Sequence, residues 1–179
     1  NTVRDALVAG ITLNIFNKHC DRVKMANLAQ MVNVLQSVIL TEGPKMIKTP
    51  TYHVFHMYRH HQGATLLNST LTGVGETGIG EWKVPEVTES VSEDAEHIIT
   101  VTLNNLSADE EKEIEIVIAG DEHIYSVKEA KVVSAEMHAH NTFDAPELVE
   151  EEELTAYKKC ADGIKIMLPP CSVVELRLQ

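Results

Sequence analysis

The chain contains 179 residues, 44% of them hydrophobic, which is enough to bury a sizeable core and argues against disorder throughout. Its formal net charge of −12 predicts a surface that repels nucleic acid and anionic membranes, so both are excluded as partners. No run of about 18 apolar residues is present, which argues against a membrane-spanning helix.

The first 62 residues alternate between helical and extended patterns. A helix is predicted over residues 3–18, where Thr2 and Asp5 are spaced to cap its first turn. Its apolar face is wider than an ordinary amphipathic stripe, which predicts neighbours on more than one side and self-association if that face stays uncovered. Residues 22–28 are predicted to form a short apolar strand of a parallel sheet.

The rest of this region contains a loop and a second helix. Residues 32–40 form an apolar segment that fits either a helix or a loop, and Glu42, Gly43 and Pro44 predict a turn. A helix is predicted over residues 52–62, after a Thr-Pro-Thr start. Helix, strand, loop and helix in this order indicate an α/β layer, whose single strand needs a sheet to join.

From residue 64 onward, short alternating segments are separated by turns, which is typical of an antiparallel β-sandwich. Seven strands are predicted, over residues 65–72, 84–91, 97–103, 113–119, 123–133, 163–168 and 172–178. The sequence GVGETGIG at residues 73–80 lacks the spacing of a phosphate-binding loop and no helix follows it. We therefore predict a flexible surface turn there.

Trp82 and the three cysteines each allow two interpretations. Trp82 is predicted to lie in the sandwich core, and the alternative is an exposed platform on which a sugar ring stacks. Cys20, Cys160 and Cys171 are too few for a disulfide framework. Buried free thiols are therefore predicted, with a Cys160–Cys171 bridge as the alternative.

Three amides follow the predicted strand 22–28 and stand among apolar residues: Asn27, Gln30 and Asn33. A buried amide without partners costs roughly 1–3 kcal/mol, so either the fold satisfies these groups or a ligand does. For Asn27 and Asn33 the alternative to a binding role is an amide satisfied within the fold.

The same region carries a family resemblance. The sequence HCDRVKMANLAQMVNV, preceded by RDALVAGITLNIF and followed by TPTYHVFHMY, closely resembles the end of the catalytic barrel in α-L-arabinofuranosidases of glycoside hydrolase family 51. The terminal LPPCSVVELRL resembles the last strand of that family's C-terminal β-sandwich. The resemblance is strong over residues 2–62 and 168–178 and weak in the acidic middle of the chain.

The resemblance implies a mainly β chain, in which a jelly-roll-like antiparallel β-sandwich at residues 64–179 follows the end of a (β/α)8 barrel at residues 1–63. Residues 2–18 resemble the seventh barrel helix, residues 22–28 the eighth strand and residues 50–62 the eighth helix. Active sites of such barrels form at the carboxyl ends of the strands, where Asn27 and Gln30 would lie.

The implied function is retaining hydrolysis of terminal non-reducing α-L-arabinofuranosyl residues from polysaccharides or oligosaccharides. Gln30 matches the family glutamine that contacts the sugar, and Asn27 is the second substrate-binding candidate. Both catalytic glutamates of the family lie on earlier barrel strands, so no catalytic residue is expected in this chain, which is predicted to be inactive alone. The implied partners are the saccharide, the rest of the barrel and further copies of the protein, with no cofactor.

Two other functions are weighed against this one. A non-catalytic β-sandwich that binds carbohydrate or protein would show a row of exposed aromatic residues, but only 4% of the chain is aromatic. His56 and His60 have the i, i+4 spacing of a zinc site on a helix, yet the HEXXH motif is absent. We therefore predict no metal site and interpret the second helix as histidine-rich and facing solvent.

Overall fold

The computed structural model of the protein describes residues 1–120, 125–161 and 163–179. Its helices are α1 (Val3–Lys18), α2 (Pro50–Tyr58) and the short 3-10 helix η1 (Arg59–His61). The strands are β1 (Ile39–Glu42), β2 (Lys45–Lys48), β3 (Thr65–Leu66), β4 (Glu76–Ile79), β5 (Trp82–Pro85), β6 (Val87–Glu93), β7 (Ile99–Asn105), β8 (Lys112–Ile116), β9 (Val127–Ser134), β10 (Glu152–Glu153), β11 (Tyr157–Lys159), β12 (Ile164–Leu168) and β13 (Ser172–Leu178).

Two antiparallel sheets form the β-sandwich that the sequence predicts. The larger sheet has the strand order β10-β9-β13-β7-β6-β3, and the smaller has the order β11-β12-β8. Every second side chain of the central strands β7 and β13 points between the sheets and packs against the smaller sheet. This core includes Val101, Leu103, Leu176, Ile166 and Leu168.

The opposite face of the larger sheet carries the helices. Helix α1 contacts β6, β7 and β13, and α2 contacts α1, β9 and β13. A second buried cluster joins them through Val3, Leu7, Val54, Met57 and Val173. The two helical segments therefore dock on the sandwich rather than stand apart from it.

Local sequence explains where both helices begin. The backbone N–H of Thr2 donates to Asp5 Oδ2 at 2.8 Å, which completes the predicted capping box of α1. Burial opposes ionisation of Asp5, but this bond and its neighbours lower the pKa of the carboxyl group. Pro50 occupies the first turn of α2, where its missing N–H costs nothing. Both predicted helices are confirmed, the second ending in η1.

The predicted strand over residues 22–28 is wrong. These residues are irregular and mostly exposed, and no strand among the described residues lies beside them. An extended segment without a neighbouring strand leaves its backbone groups unpaired, so apolar composition alone does not make it a strand. The segment over residues 32–40 is a loop that ends in β1. Strands β1 and β2 form a hairpin around the predicted turn, with Gly43 at φ 56°.

Several sandwich strands are shorter than predicted. Only Thr65–Leu66 of the predicted strand 65–72 is extended and paired, and the predicted strand 84–91 is divided between β5 and β6. The strand at Ser172–Leu178 has the predicted bounds. The first two residues of the predicted strand 123–133 lie outside the described residues, and the remainder contains β9.

The sequence at residues 73–80 is not a simple turn, because its second half forms β4, which pairs with β5 in a surface hairpin. Gly78 is required there, since a Cβ atom would lie 2.0 Å from the carbonyl oxygen of Trp82. The core position predicted for Trp82 is wrong, because 87% of its surface is exposed on this hairpin. It pairs in register with Ile79, which is equally exposed.

All three cysteines are free thiols in the described part of the chain. Cys171 is buried as predicted, and burial raises the pKa of its thiol, whereas Cys20 is exposed rather than buried.

No helix that the structure describes is long and apolar enough to cross a membrane.

Candidate functional site

The candidate contact residues Asn27 and Gln30 lie on the irregular segment after α1. Both side chains are exposed, and neither amide has a hydrogen-bond partner among the described residues. Gln30 has φ 49°, in the left-handed region that a residue other than glycine seldom occupies. Asn33, His97 and Cys171 share this conformation, so the backbone alone does not distinguish Gln30 as a binding residue.

Asn33 differs from the other two amides because the chain itself satisfies it. Its Nδ2 donates to Thr41 Oγ1 at 2.8 Å, and its Oδ1 accepts from the Thr41 backbone N–H at 2.7 Å. These two bonds join the loop to β1. Asn33 is therefore a structural loop amide, which answers the question raised by its sequence.

Asn27 borders an apolar groove of about 280 Å³ along α1. Its walls include Val8, Leu13, Phe16 and Phe55. Further apolar side chains on the adjoining loop are exposed, among them Leu35 at 88%. The described residues therefore cover only part of the face of α1 that points away from the sandwich.

The two buried carboxylates of the described residues are engaged within the protein. Glu89 accepts a hydrogen bond from Ser69 at 3.0 Å and pairs with Lys18. Glu175 lies on β13, and its Oε1 is 2.5 Å from Nδ1 of His60 in η1. Each of these carboxylates therefore already has a polar partner within the protein.

The histidines of α2 and η1 face the sandwich rather than solvent, which corrects the sequence-based interpretation. His53 and His56 approach Glu151 Oε1 at 3.3 and 2.8 Å through their Nδ1 atoms. Burial opposes ionisation of Glu151, but the two imidazoles lower the pKa of its carboxyl group to about 2. His60 contacts Glu175 instead, so His56 and His60 do not converge on one point.

The described residues include no group of three or more histidine, cysteine or acidic side chains placed to hold a metal ion. His61 completes the contact with the sheet, because its ring nitrogens lie 2.7 Å from Ser92 Oγ and 3.1 Å from Thr102 Oγ1. Burial lowers the pKa of His61 to about 4, so the ring is neutral at physiological pH.

A buried polar layer between the helices and the sheet centres on Asn14 of α1. Its Oδ1 accepts hydrogen bonds from Tyr58 at 2.8 Å and from Ser90 and Thr102 at 2.9 Å each. Burial raises the pKa of the Tyr58 hydroxyl well above its ordinary value. This layer is not among the features predicted from the sequence, although polar residues at every second position of β6 and β7 are its signal.

Gly10 lets α1 approach the same layer closely. A Cβ atom at this position would lie 2.2 Å from Oδ1 of Asn104, whose Nδ2 donates to Tyr58 Oη at 3.1 Å. The helices and the sheet are thus joined by specific hydrogen bonds as well as by apolar packing.

Comparisons with known proteins agree with this architecture. Residues 1–172 match the family described as the Alpha-L-arabinofuranosidase C-terminal domain. The chain is 39% identical over all 179 residues to an intracellular exo-alpha-L-arabinofuranosidase of Bacteroides ovatus, of which it covers 35%. It is 30% identical over 151 residues to an intracellular exo-alpha-(1->5)-L-arabinofuranosidase of Streptomyces lividans, with 83% of this chain and 22% of the relative covered.

Solved structures give the same relationship. The GH51 arabinofuranosidase from Xanthomonas axonopodis pv. citri superposes with a TM-score of 0.92 at 36% identity, over 100% of this chain and 36% of that one. A family 51 alpha-L-arabinofuranosidase from Bifidobacterium longum superposes with a TM-score of 0.87 at 23% identity, over 100% of this chain and 35% of that one, which supports the fold. The chain therefore spans about a third of these longer structures.

Proposed function

We propose a function for this chain from one premise: it belongs to the family of α-L-arabinofuranosidase C-terminal domains. It forms part of a retaining α-L-arabinofuranosidase that removes terminal non-reducing α-L-arabinofuranosyl residues from polysaccharides or oligosaccharides. The observation that carries this proposal is the 39% identity, which extends over all 179 residues.

Within that enzyme, Gln30 contacts the arabinofuranosyl unit and Asn27 lies beside the same site. The support for Gln30 is its exposed amide and the lack of a hydrogen-bond partner for that amide among the described residues. A primary amide can donate to one sugar hydroxyl and accept from another, so one side chain orients two substituents of the ring.

The chain supplies no catalytic carboxylate in this proposal and is inactive by itself. Its buried carboxylates are already engaged by His60, Lys18 and Ser69, which supports a role in binding and bracing rather than in proton transfer. The acid/base and the nucleophile come from the rest of the catalytic barrel.

The partly covered outer face of α1 supports the rest of that barrel as a partner. Val8 is 57% exposed there and lines the apolar groove that reaches Asn27. Residues 1–63 then complete the barrel and residues 64–179 form the accessory sandwich. Gly63, with φ 73°, lies at the junction between η1 and β3.

Self-assembly of the enzyme is a further part of the proposal. The β4–β5 hairpin presents Ile79 and Trp82 side by side, each 87% exposed. These two adjacent apolar side chains are the surface that a second copy would cover in this proposal. Size-exclusion chromatography with light scattering tests this, and Trp82→Ala should reduce the assembled fraction.

The test of the sugar contact uses the chain joined to the remainder of the Bacteroides ovatus relative. Gln30→Ala should lower kcat/KM for an aryl α-L-arabinofuranoside by about 10–100-fold, because two neutral hydrogen bonds that together contribute about 1.5–3 kcal/mol are lost. Gln62→Ala removes an exposed amide at the end of η1 and serves as the matched control. Equal activity of the two variants would refute the role of Gln30.

One observation favours a second candidate, a non-catalytic carbohydrate-binding sandwich. The exposed indole of Trp82 has the accessibility that a stacked sugar ring needs. Affinity electrophoresis in arabinan gels separates the two proposals. The binding module would be favoured by two results together. Arabinan would retard the chain in the gel and Trp82→Ala would abolish this retardation, while the chain joined to the remainder of the Bacteroides ovatus relative would be inactive.

A further inference from the structure

The contact between His60 and Glu175 is the most unusual electrostatic feature outside the proposed sugar site. Glu175 occupies the middle of β13, a central strand, and none of its side chain is exposed. Its Oε1 lies 2.5 Å from Nδ1 of His60, while its Oε2 has no hydrogen-bond partner among the described residues. An ionised carboxylate with one unsolvated oxygen would be costly in this position.

We propose that His60 and Glu175 form a proton-sharing latch, in which one proton held between imidazole and carboxyl group fixes η1 on the larger sheet over a limited range of pH. With one proton, the pair is a neutral carboxyl group donating to a neutral imidazole. A second proton leaves a buried positive charge, and removal of the first leaves a buried negative charge. Both changes weaken the contact between η1 and the sheet.

The charged groups around the latch do not neutralise Glu175 directly. Lys131 of β9 lies opposite Glu175 in register, but its Nζ pairs with Glu129 at 3.0 Å and with Glu151 at 3.6 Å. Arg177 of β13 pairs with Asp94 at 3.5 Å and with Glu129 at 3.7 Å. The cations on β9 and β13 are therefore already matched by other carboxylates.

The other neighbours of the latch are uncharged, apart from one arginine that lies near both His60 and Glu175. Thr102 faces Glu175 from β7, and His61 is a neutral ring bonded to that hydroxyl. Tyr58 of α2 is also neutral, and Arg59 of η1 is the remaining cation near the pair. The nearby cations favour a neutral His60, and for Glu175 they offset only part of the burial that favours the protonated form.

The protonation preferences agree with the geometry. Burial, reinforced by Glu129, raises the pKa of Glu175 to about 8. Burial, reinforced by Arg177 and Arg59, lowers the pKa of His60 to about 4. Between these limits the two residues together hold one proton.

The sign of the pH dependence follows from proton counting. Between about pH 4.5 and 6.5 the unfolded chain also carries one proton on these two groups, so stability does not depend on them. Above about pH 6.5 the unfolded chain loses that proton while the latch keeps it. The unfolding constant then rises about tenfold per pH unit, or about thirtyfold by pH 8. Below about pH 4.5 the unfolded chain takes up a second proton, and stability falls again.

The test compares urea unfolding of the 179-residue chain and of Glu175→Gln between pH 6 and 9. A glutamine amide can still donate to His60 but has no proton to lose, so the alkaline rise in the unfolding constant should disappear. Glu93→Gln is the matched control, because Glu93 lies 2.9 Å from His97 in an exposed pair. That control should retain the alkaline rise.

A titration of the carboxyl carbon of Glu175 by NMR keeps the test decisive if the glutamine variant does not fold. The latch predicts a midpoint near 8 in the folded chain. A midpoint near the ordinary value of 4.5, or an alkaline rise of equal size in wild type and Glu175→Gln, would overturn the proposal.

Discussion

Replacement of Asn14 by alanine tests whether the buried polar layer holds the helices to the sandwich. The side chain is 1% exposed and makes four hydrogen bonds, three accepted by Oδ1 and one donated to Thr88. At about 1 kcal/mol net for each bond, the upper limit of the loss is about 4 kcal/mol.

The remaining groups recover part of this loss. Tyr58 keeps a second acceptor in the carbonyl oxygen of Gly10 at 3.1 Å, and Ser90 and Thr102 lie 2.9 Å apart and can bond to each other. We therefore expect Asn14→Ala to lower the free energy of unfolding by about 2–3 kcal/mol, or the Tm by roughly 5–10 °C.

Urea unfolding followed by circular dichroism measures this loss, with an unchanged m value as evidence that the two-state description holds. Asn17→Ala is the matched control one turn along α1. Asn17 is half-buried and makes one bond, to Ser90 at 3.0 Å, so its loss should cost about 0.5–1 kcal/mol. Equal destabilisation by the two variants would refute the idea that the polar layer is a specific joint.

Three further predictions use other parts of the interface and surface. Gly10→Ala should destabilise the chain by about 1–2 kcal/mol despite the better helix propensity of alanine, because the new Cβ atom would clash with Asn104. Asn104→Ala in the same chain should relieve that clash. If urea unfolding shows that the double variant is not rescued, the clash is not the cause. Glu151→Gln should lower the free energy of unfolding by about 2–3 kcal/mol at pH 7, because the pKa of Glu151 is depressed in the folded chain. The difference between wild type and variant should fade as the pH falls from about 4.5 to 2. A difference that persists at pH 2 would contradict the depressed pKa of Glu151. Acrylamide should readily quench the fluorescence of the sole tryptophan, Trp82, in the isolated monomer. Trp82→Ala should change the free energy of unfolding by less than about 0.5 kcal/mol. Shielding of this fluorescence from acrylamide in the monomer would disprove the exposed position of Trp82.

The sandwich and both helices could be predicted from the sequence because local patterns determine them. The alternating pattern of side chains predicts the strand at Ser172–Leu178, and the capping residues Thr2 and Asp5 predict the start of α1. These features depend on neighbouring residues in the chain. They can therefore be predicted without knowing which helices and strands pack against each other.

The failures concern residues whose structure depends on a distant partner. The segment 22–28 has the composition of a strand but no strand beside it among the described residues, so it stays irregular. Trp82 has the composition of a core residue but lies on a hairpin that projects from the sandwich. Apolar composition predicts a preference for burial, whereas the partner that provides burial is not encoded locally.

The candidate site was predicted through a motif, whereas the polar layer was overlooked. Gln30 is a candidate through the family resemblance, and its left-handed backbone, which Asn33 shares, adds no separate support. His60 and Glu175 are 115 residues apart, and no local pattern connects them. Only the packing of η1 on β13 brings the two together.

The most direct test of the central claim is hydrolysis of an aryl α-L-arabinofuranoside by two proteins. One is the 179-residue chain alone, and the other is the same chain joined to the remainder of the Bacteroides ovatus relative. We expect turnover only from the joined protein, since the proposed function assigns the sugar contact and the sandwich to this chain and the catalytic carboxylates to the rest of the barrel. Comparable turnover by the chain alone would contradict this division of roles.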